Sequence, residues 1–295
     1  MYFSPSERLT YSTVRIECDY KEATGSGTGF FFSFLKKPDG SCNVFVITNK
    51  HVIEEATQIR IVLSTADANN NPIDTENYIL AIENPSKTCT NHPDPQVDLC
   101  AIPIGNHLAA MKEQGANPYY EVLDFSLLIT DITEDIDLSS VEEVIMIGYP
   151  DGLWDDINNK PIIRRGITAT HPFRDYKGLK EFMVDMACFP GSSGSPVFIL
   201  SEGVFGNKHG AVFEGFRLKL LGILRAGPTI KLEGSASLDS DFSNTSFIRK
   251  IPVKVESMMH LGLVIKAERI KELEQEVKNR IAVIEKEFFP PFRQV

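Results

Sequence analysis

One serine of the chain lies in a setting that suits a nucleophile. Ser193 stands in the run FPGSSGSP (189–196), between two segments of strand-like composition. A serine hydroxyl attacks a carbonyl carbon only when a base takes its proton and backbone N–H groups face the developing oxyanion. Gly191 and Gly194 flank Ser193, and glycine permits the tight turn in which such N–H groups converge. The pattern indicates a nucleophile turn, although alone it also fits a Ser/Gly loop between strands.

A histidine and an aspartate stand where they could assist that serine. His51 follows an apolar strand-like run (44–48), whose end would aim the imidazole ring. Asp98 directly precedes another apolar run, where a partly buried carboxylate could hold the second ring nitrogen of His51 and select its tautomer. Asp94 is a nearby alternative, and we prefer Asp98 because it leads directly into the strand. The remaining histidines lack this context and are interpreted as surface or structural residues: His92, His107, His171, His209 and His260.

The elements that would position these residues are short strands. Several runs are rich in Val, Ile and Phe, one alternates polar and apolar residues (58–64), and turn signals separate them. Many short strands with turns between them predict an all-β barrel or sandwich. A polar stretch (65–97) is expected to be an extended loop around a strand at Tyr78, and a Ser/Asp-rich stretch (233–244) is expected to be a loop. The predicted strands are 28–34, 44–48, 58–64, 78–83, 98–104, 144–148, 162–170, 181–187, 195–200, 211–226 and 260–265.

The last part of the chain changes its periodicity. From Ala267 onward apolar residues recur at steps of three and four, which predicts one amphipathic helix that ends before Pro290. The stripe consists of Ile270, Leu273, Val277, Ile281, Ile284 and Phe288. We expect this helix to dock on the body of the protein, with partner binding or oligomerisation as the alternative.

Composition limits the classes of partner. The chain has 295 residues, of which 40 are acidic and 30 basic, for a net charge of −10. An acidic surface repels phosphate groups, which argues against nucleic acid or an anionic membrane as the main partner. No apolar run is long enough to cross a membrane, and the start of the chain lacks the apolar stretch of a secretion signal. Five irregularly spaced cysteines favour a reducing compartment, so we expect a cytoplasmic location.

The cysteines offer two weaker alternatives. Cys188 lies five residues before Ser193, but Ser193 has the better glycine context, and cysteine is often a small buried apolar residue. Cys89, His92 and Cys100 match no strong zinc spacing, and a structural zinc site has four ligands. We therefore expect neither a metal nor a cofactor.

Taken together, the motifs resemble the trypsin-like peptidase family, and within it the bacterial HtrA-like branch, over about residues 10 to 275. The order His51, Asp98, Ser193 is that of chymotrypsin. The resemblance implies two six-stranded antiparallel β-barrels with the site in the cleft between them, followed by the C-terminal helix. We expect segments 1–118, 119–265 and 266–295 to form the first barrel, the second barrel and the helix with its tail. The motifs occur at 25–31, 48–52, 98–102, 147–153 with 165–169, 191–196, 221–227 and 261–265.

The resemblance also implies an activity, that of an intracellular serine endopeptidase acting on a protein or peptide substrate. Ser193 would attack the scissile carbonyl, His51 would act as general base and then acid, and Asp98 would orient His51. The backbone N–H groups of Gly191 and Ser193 would form the oxyanion hole, and the product of attack would be an acyl-enzyme.

Substrate-binding residues follow from the same resemblance. Arg225, Ala226 and Gly227 would pair with the substrate as an added strand. Ala187 would lie at the base of the primary specificity pocket, and a small uncharged residue there favours a small or medium apolar P1 residue, the residue before the scissile bond. Arg225 leaves two interpretations open: it could favour an acidic P1 residue, or it could pair with an acid such as Asp98 and be structural, which we prefer.

Some features depart from the family pattern. Ser192 replaces the aspartate that a new N-terminus engages in trypsin, so we expect no activation by N-terminal cleavage. We also expect no PDZ module after the helix, and Val52 stands where secreted members have a disulfide cysteine. The alternative function is a latent or inactive protease-fold binding module that needs a partner, because the oxyanion loop of this fold can adopt an inactive arrangement. An activating protein or a homo-oligomer through the C-terminal helix would be that partner.

Overall fold

The protein consists mainly of antiparallel strands. The structure is a computed structural model that describes residues 3–129, 137–238 and 249–288. The predicted all-β class with a C-terminal α-helix is confirmed. Short helices accompany the sheets: α1 (Pro5–Thr10), α2 (Lys50–Ile53), α3 (Pro85–Thr88) and α4 (Gly105–Glu113). None of the helices in the described ranges is long and apolar enough to span a bilayer.

The first sheet carries eight strands in the order β5-β4-β1-β2-β3-β7-β6, with β8 paired to β4. They are β1 (Thr13–Asp19), β2 (Thr24–Phe34), β3 (Asn43–Thr48), β4 (Gln58–Ala66), β5 (Pro72–Glu83), β6 (Thr90–Asn91), β7 (Cys100–Pro103) and β8 (Pro118–Tyr119). The sheet has eight strands where the prediction had six, and in the described part of the chain their order begins at β5 and ends at β6.

The polar stretch predicted as an extended loop around Tyr78 instead forms a hairpin, because β5 pairs with β4 from Ala66↔Pro72 to Gln58↔Glu83. The Asp67 carboxylate shapes the turn by accepting hydrogen bonds from the N–H groups of Asn69 and Asn71, each at 2.8 Å. The polar composition of the strand agrees with its place at the sheet edge, where half of its residues are exposed. The polar composition of this stretch therefore predicted a loop where the structure has the paired strand β5.

The second sheet closes into a six-stranded barrel in the order β10-β11-β16-β13-β12-β9, as expected for this half of the chain. Its strands are β9 (Glu143–Gly148), β10 (Ile162–Thr168), β11 (Glu181–Asp185), β12 (Pro196–Gly206), β13 (Val212–Ala226) and β16 (Leu261–Lys266). Fully buried side chains such as Phe182, Val184 and Val197 fill its interior. Burial of these apolar residues is the main force that closes the barrel.

A separate two-stranded hairpin lies between β13 and β16 in the sequence. It consists of β14 (Thr229–Leu238) and β15 (Arg249–Met258), which pair with each other along ten positions. The loop predicted for 233–244 is therefore wrong for residues 233–238, while 239–244 lie outside the described residues. Polar and apolar residues alternate along β14, and β15 supplies the hydrogen bonds that a loop would lack.

The C-terminal helix, α5 (Arg269–Phe288), docks on the body of the protein. Ile270, Leu273 and Val277 are buried in a core that also contains residues of both sheets, such as Phe30 and Phe198. The side chains of Ile284 and Phe288 lie outside the described residues. Because this core is shared, the division into segments 1–118, 119–265 and 266–295 stays a prediction.

Candidate active site

Strand pairing places His51 beside Asp98. His51 lies in α2, directly after β3, and Asp98 shortly precedes β7, which pairs with β3 through Thr48↔Cys100. His51 Nδ1 lies 2.5 Å from Asp98 Oδ2, and the His51 backbone N–H donates to Asp98 Oδ1 at 3.2 Å. Asn49 Nδ2 donates to the Asp98 carbonyl at 2.7 Å. These contacts hold both the backbone and the ring of His51 on one carboxyl group.

The Asp98 carboxyl group is suited to remain ionised. Burial alone would raise its pKa, but the hydrogen bonds from the His51 ring and from the backbone N–H groups of His51 and Lys50 outweigh burial, so its pKa is lowered. The Asp98 side chain is 20 % exposed, whereas that of His51 is 48 % exposed. An ionised Asp98 accepts a hydrogen bond from the Nδ1–H group of His51, which leaves Nε2 free to act as a base.

The alternative acid, Asp94, has another role. Its carboxylate pairs with Arg269 of α5 at 2.9 Å. Asp94 therefore ties the terminal helix to the first sheet, and Asp98 is the acid that contacts His51.

The turn around Ser193 has a backbone that only glycine adopts easily. Gly191 and Gly194 have φ angles of +79° and +87°. A Cβ at Gly191 would lie 2.6 Å from the Tyr149 carbonyl oxygen, and one at Gly194 would lie 1.9 Å from the Thr28 carbonyl oxygen. Both conformation and space therefore require glycine on either side of the serine.

Hydrogen bonds orient the peptide groups of this turn. The Pro190 carbonyl accepts from the Asp151 N–H at 2.6 Å, and the Gly191 carbonyl accepts from Thr28 Oγ1 at 2.9 Å. Within the described ranges the N–H groups of Gly191 and Ser193 donate to no protein atom. Because the neighbouring carbonyls are bonded elsewhere, these two N–H groups are available to an external oxygen atom.

Thr28 of β2 connects the turn to the first sheet, a role that the sequence analysis missed. Its buried hydroxyl accepts from the Tyr149 N–H at 3.0 Å while donating to Gly191, and its N–H donates to the Ser193 carbonyl at 2.9 Å. Thr48 Oγ1 in turn donates to the Thr28 carbonyl at 2.7 Å. The signal was the glycine-rich motif at 25–31, which was noted as a strand without a role for its threonine.

One cleft brings the expected catalytic residues together. Ser193 Oγ donates to the Arg225 carbonyl at 3.1 Å, and among the described residues it makes no hydrogen bond to His51. The cleft is lined by His51, Asp98, Phe189, Pro190, Ser193, Arg225, Ala226, Gly227 and Met258. The nucleophile candidate therefore faces the same space as the His51–Asp98 pair, with its hydroxyl turned toward β13.

The predicted specificity residues divide into two groups. Ala226 and Gly227 line the cleft, whereas Ala187 does not. The Ala187 carbonyl accepts a hydrogen bond from Arg164 of β10, a residue that the sequence analysis missed because no motif contains it. Arg225 does pair with an acid, but that acid is the buried Glu181, at 3.2 Å, and not Asp98.

The cysteines give no sign of a role in catalysis. Cys188 is buried, and burial raises the pKa of its thiol to about 11, so the reactive thiolate is scarce at neutral pH. In the described ranges no group of three or more His, Cys, Asp and Glu side chains is placed to hold a metal ion.

Comparison with known proteins completes the description of the site. The model of the trypsin-like peptidase domain matches residues 27–206, more than half of the chain. No curated protein matches the chain in sequence. Three solved structures that resemble it share 11–15 % identity with the chain, and their TM-scores lie below 0.5.

The three structures are a bacterial, an extremophile and a mite protein. A serine endoprotease from Yersinia pestis has 15 % identity and a TM-score of 0.45, with 95 % of this chain and 69 % of that chain covered. The thermostable serine protease AL20 from an extremophilic microorganism has 11 % identity and a TM-score of 0.45, with 91 % and 97 % covered. An inactivated protease paralogue of the scabies mite has 12 % identity and a TM-score of 0.41, with 95 % and 97 % covered.

Proposed function

The chain belongs to the trypsin-like peptidase family, and we propose that it is a serine endopeptidase that uses Ser193, His51 and Asp98. One observation carries the proposal. A single cleft contains the Ser193 hydroxyl and the His51–Asp98 pair, and the turn that carries Ser193 also offers the backbone N–H groups of Gly191 and Ser193, which have no protein partner in the described ranges. This set provides a nucleophile, a base and an oxyanion site in one place.

The proposed reaction begins with a rotation of the Ser193 hydroxyl from the Arg225 carbonyl toward His51 Nε2. His51 takes the hydroxyl proton as Oγ attacks the scissile carbonyl carbon, and the carbonyl oxygen becomes an oxyanion that accepts hydrogen bonds from the N–H groups of Gly191 and Ser193. Asp98 stabilises the imidazolium that forms. His51 then gives its proton to the leaving amine, which departs and leaves an acyl group on Ser193.

Water completes the cycle. His51 removes a proton from a water molecule that attacks the acyl carbon, and the same N–H groups stabilise the second oxyanion. The proton returns from His51 to Ser193 Oγ as the C–O bond breaks, which releases the carboxylate product and restores the enzyme.

A latent protease-fold module that needs a partner is the second candidate. The hydrogen bond from Ser193 Oγ to the Arg225 carbonyl favours it, because this hydroxyl is not yet in contact with its base. Breaking one such bond costs only about 0.5–1.5 kcal/mol, which substrate binding readily supplies. The outward bond of the Pro190 carbonyl to Asp151 favours an open oxyanion site and therefore the active enzyme.

We further propose that the enzyme works in a reducing compartment such as the cytoplasm. All five cysteines are unpaired, and one of them, Cys42, is exposed. An oxidising environment would expose that thiol to disulfide exchange or oxidation.

A fluorophosphonate probe tests the proposed activity, because it reacts only with a serine whose base and oxyanion site are assembled. We expect one adduct, mapped by mass spectrometry to Ser193, which disappears in Ser193→Ala. The matched control is Ser192→Ala, which changes the neighbouring serine of the same turn and should keep the adduct. An unlabelled wild-type protein would contradict the active enzyme, and labelling that appears only after a partner is added would establish latency.

A further inference from the structure

Arg164 is a half-buried cation beside the candidate active site. It lies on β10 opposite the buried Met146 of β9, and its neighbour Arg165 lies opposite Ile145. Successive side chains of a strand point to opposite faces, so the two arginines face different surroundings. The Arg165 side chain is 72 % exposed and pairs with Glu143, whereas Arg164 is directed toward the Ser193 side of the barrel, where it contacts Ala187 and Phe189.

Two contacts tie Arg164 to the cleft. Its Nη1 donates to the Ala187 carbonyl, and its guanidinium carbon lies 5.0 Å from the centre of the Phe189 ring. Phe189 lines the cleft together with Ser193, whereas Ala187, which the sequence predicts at the base of the primary pocket, lies two residues earlier and outside the cleft lining. We call residues 187–189 the pocket wall. The charge of Arg164 is thus placed directly behind this wall.

Arg164 has no carboxylate partner in the described ranges, which sets it apart from most partly buried arginines of the protein. Five others have such a partner: Arg15 with Glu17, Arg60 with Glu17 and Asp19, Arg217 with Glu142, Arg225 with Glu181, and Arg269 with Asp94 and Glu272. Arg280 lacks one too, and it donates to the carbonyls of Lys87 and Cys89, away from the cleft. In a chain with a net charge of −10, an unpaired cation behind the pocket wall calls for an explanation.

The remaining donors of Arg164 are not fully shielded from solvent. Its Nε and Nη2 atoms have no hydrogen-bond partner among the described residues. Both atoms retain contact with solvent, because neither belongs to the unpaired side-chain atoms that are buried. A guanidinium offers five N–H donors in a planar fork, which matches the two oxygen atoms of a carboxylate. Burial lowers the pKa of Arg164, and an incoming carboxylate would offset that cost of burial.

We propose that Arg164 is the specificity-determining cation of the primary pocket and that the enzyme prefers glutamate or aspartate as the P1 residue. This inference rests on the proposed peptidase function. It replaces the expectation of an apolar P1 residue, which considered Ala187 alone and not the side chain behind it. It also assigns the acidic preference to Arg164, because Arg225 is already neutralised by Glu181.

Two rival roles must be separated from this one. Arg164 could serve only to hold the Ala187 carbonyl, in which case its loss would lower activity equally for all substrates. His260 packs edge-on against Phe189, with 5.8 Å between ring centres, and is the other side chain that could donate to an acid there.

The test measures kcat/KM for fluorogenic peptides that differ only at P1, which is Glu, Asp, Gln, Ala, Phe or Lys. The proteins are the wild type, Arg164→Gln, Arg164→Lys, His260→Gln and Arg165→Gln, each normalised by fluorophosphonate labelling of Ser193.

We expect the wild type to prefer Glu over Gln by about 30-fold or more, the range for a desolvated charge pair. Arg164→Gln should abolish this preference, Arg164→Lys should keep part of it, and Arg165→Gln should leave it unchanged.

The labelling step distinguishes a failure of the proposed peptidase function from a failure of the proposed role of Arg164. A labelled wild type that prefers Phe, Ala or Lys would overturn the role of Arg164 and leave the peptidase function intact. A Glu preference that survives Arg164→Gln but disappears in His260→Gln would also overturn it, as would an equal loss for every peptide. Absence of labelling would overturn the peptidase function and this inference with it. If Arg164→Gln fails to fold, the wild-type profile and Arg164→Lys still decide the question.

Discussion

The Ser193 turn and the pocket wall are neighbours in sequence, yet they are held in different ways. The Asp151 N–H and the Thr28 hydroxyl bond carbonyl groups of the turn, and two glycines with positive φ angles shape its backbone. The wall instead depends on one side chain, Arg164, which comes from another strand of the second barrel. Under the two proposals, the reaction depends on the backbone geometry of the turn, whereas the choice of substrate depends on one charge.

This comparison predicts two classes of mutational effect. Changes to the turn or to the His51–Asp98 pair should slow the reaction of every substrate. Changes to the pocket wall should alter the relative kcat/KM values of different substrates, which the Arg164 variants test.

The largest of the remaining effects is expected for Asp98→Asn. The uncharged amide would donate to Nδ1 through its NH₂ group, so His51 would favour the wrong tautomer, and kcat should fall by about 10⁴-fold for all peptides. Steady-state kinetics measure the change. Asp94→Asn is the control, because Asp94 contacts Arg269 and not His51, and it should leave kcat near the wild-type value. A similar loss in both variants would contradict the assignment of Asp98.

Gly191→Ala should have the next largest effect. The new Cβ would lie 2.6 Å from the Tyr149 carbonyl oxygen and would displace the Gly191 N–H, so kcat should fall by about 10²–10³-fold, the loss typical of one oxyanion donor. Gly178→Ala is a matched control, since Gly178 has a φ of +77° but no atom within 4 Å of an added Cβ. If Gly191→Ala kept full activity, the turn would not form the oxyanion site.

Thr28→Val should have a smaller effect on both rate and stability. It leaves the Tyr149 N–H and the Gly191 carbonyl without their partner, which should lower the free energy of unfolding by about 1–3 kcal/mol. Looser orientation of the turn should also reduce kcat. Urea denaturation and kinetics measure the two changes, with the exposed Thr24→Val on the same strand as the control. An unchanged kcat would show that the first sheet does not position the Ser193 turn.

The difference between local sequence signals and contacts between distant residues explains how much could be predicted from sequence. The glycines beside Ser193, the strand ends at His51 and Asp98 and the period of α5 are local signals, so each was visible in a short window. Thr28 and Arg164 act through contacts with residues far along the chain, and neither type of residue signals such a contact by itself. Part of β5 and the hairpin β14–β15 were missed because these exposed, polar strands are stabilised by pairing more than by burial.

The central claim is that the Ser193 turn is a working oxyanion site in the resting protein. The most direct test is a crystal structure of the protein after reaction with a small fluorophosphonate. We predict a bond from Ser193 Oγ to phosphorus, with a phosphonyl oxygen accepting hydrogen bonds from the N–H groups of Gly191 and Ser193, while the Pro190 carbonyl stays bonded to Asp151. A phosphonyl oxygen directed away from these N–H groups, or a Pro190 carbonyl turned into their place, would contradict the account.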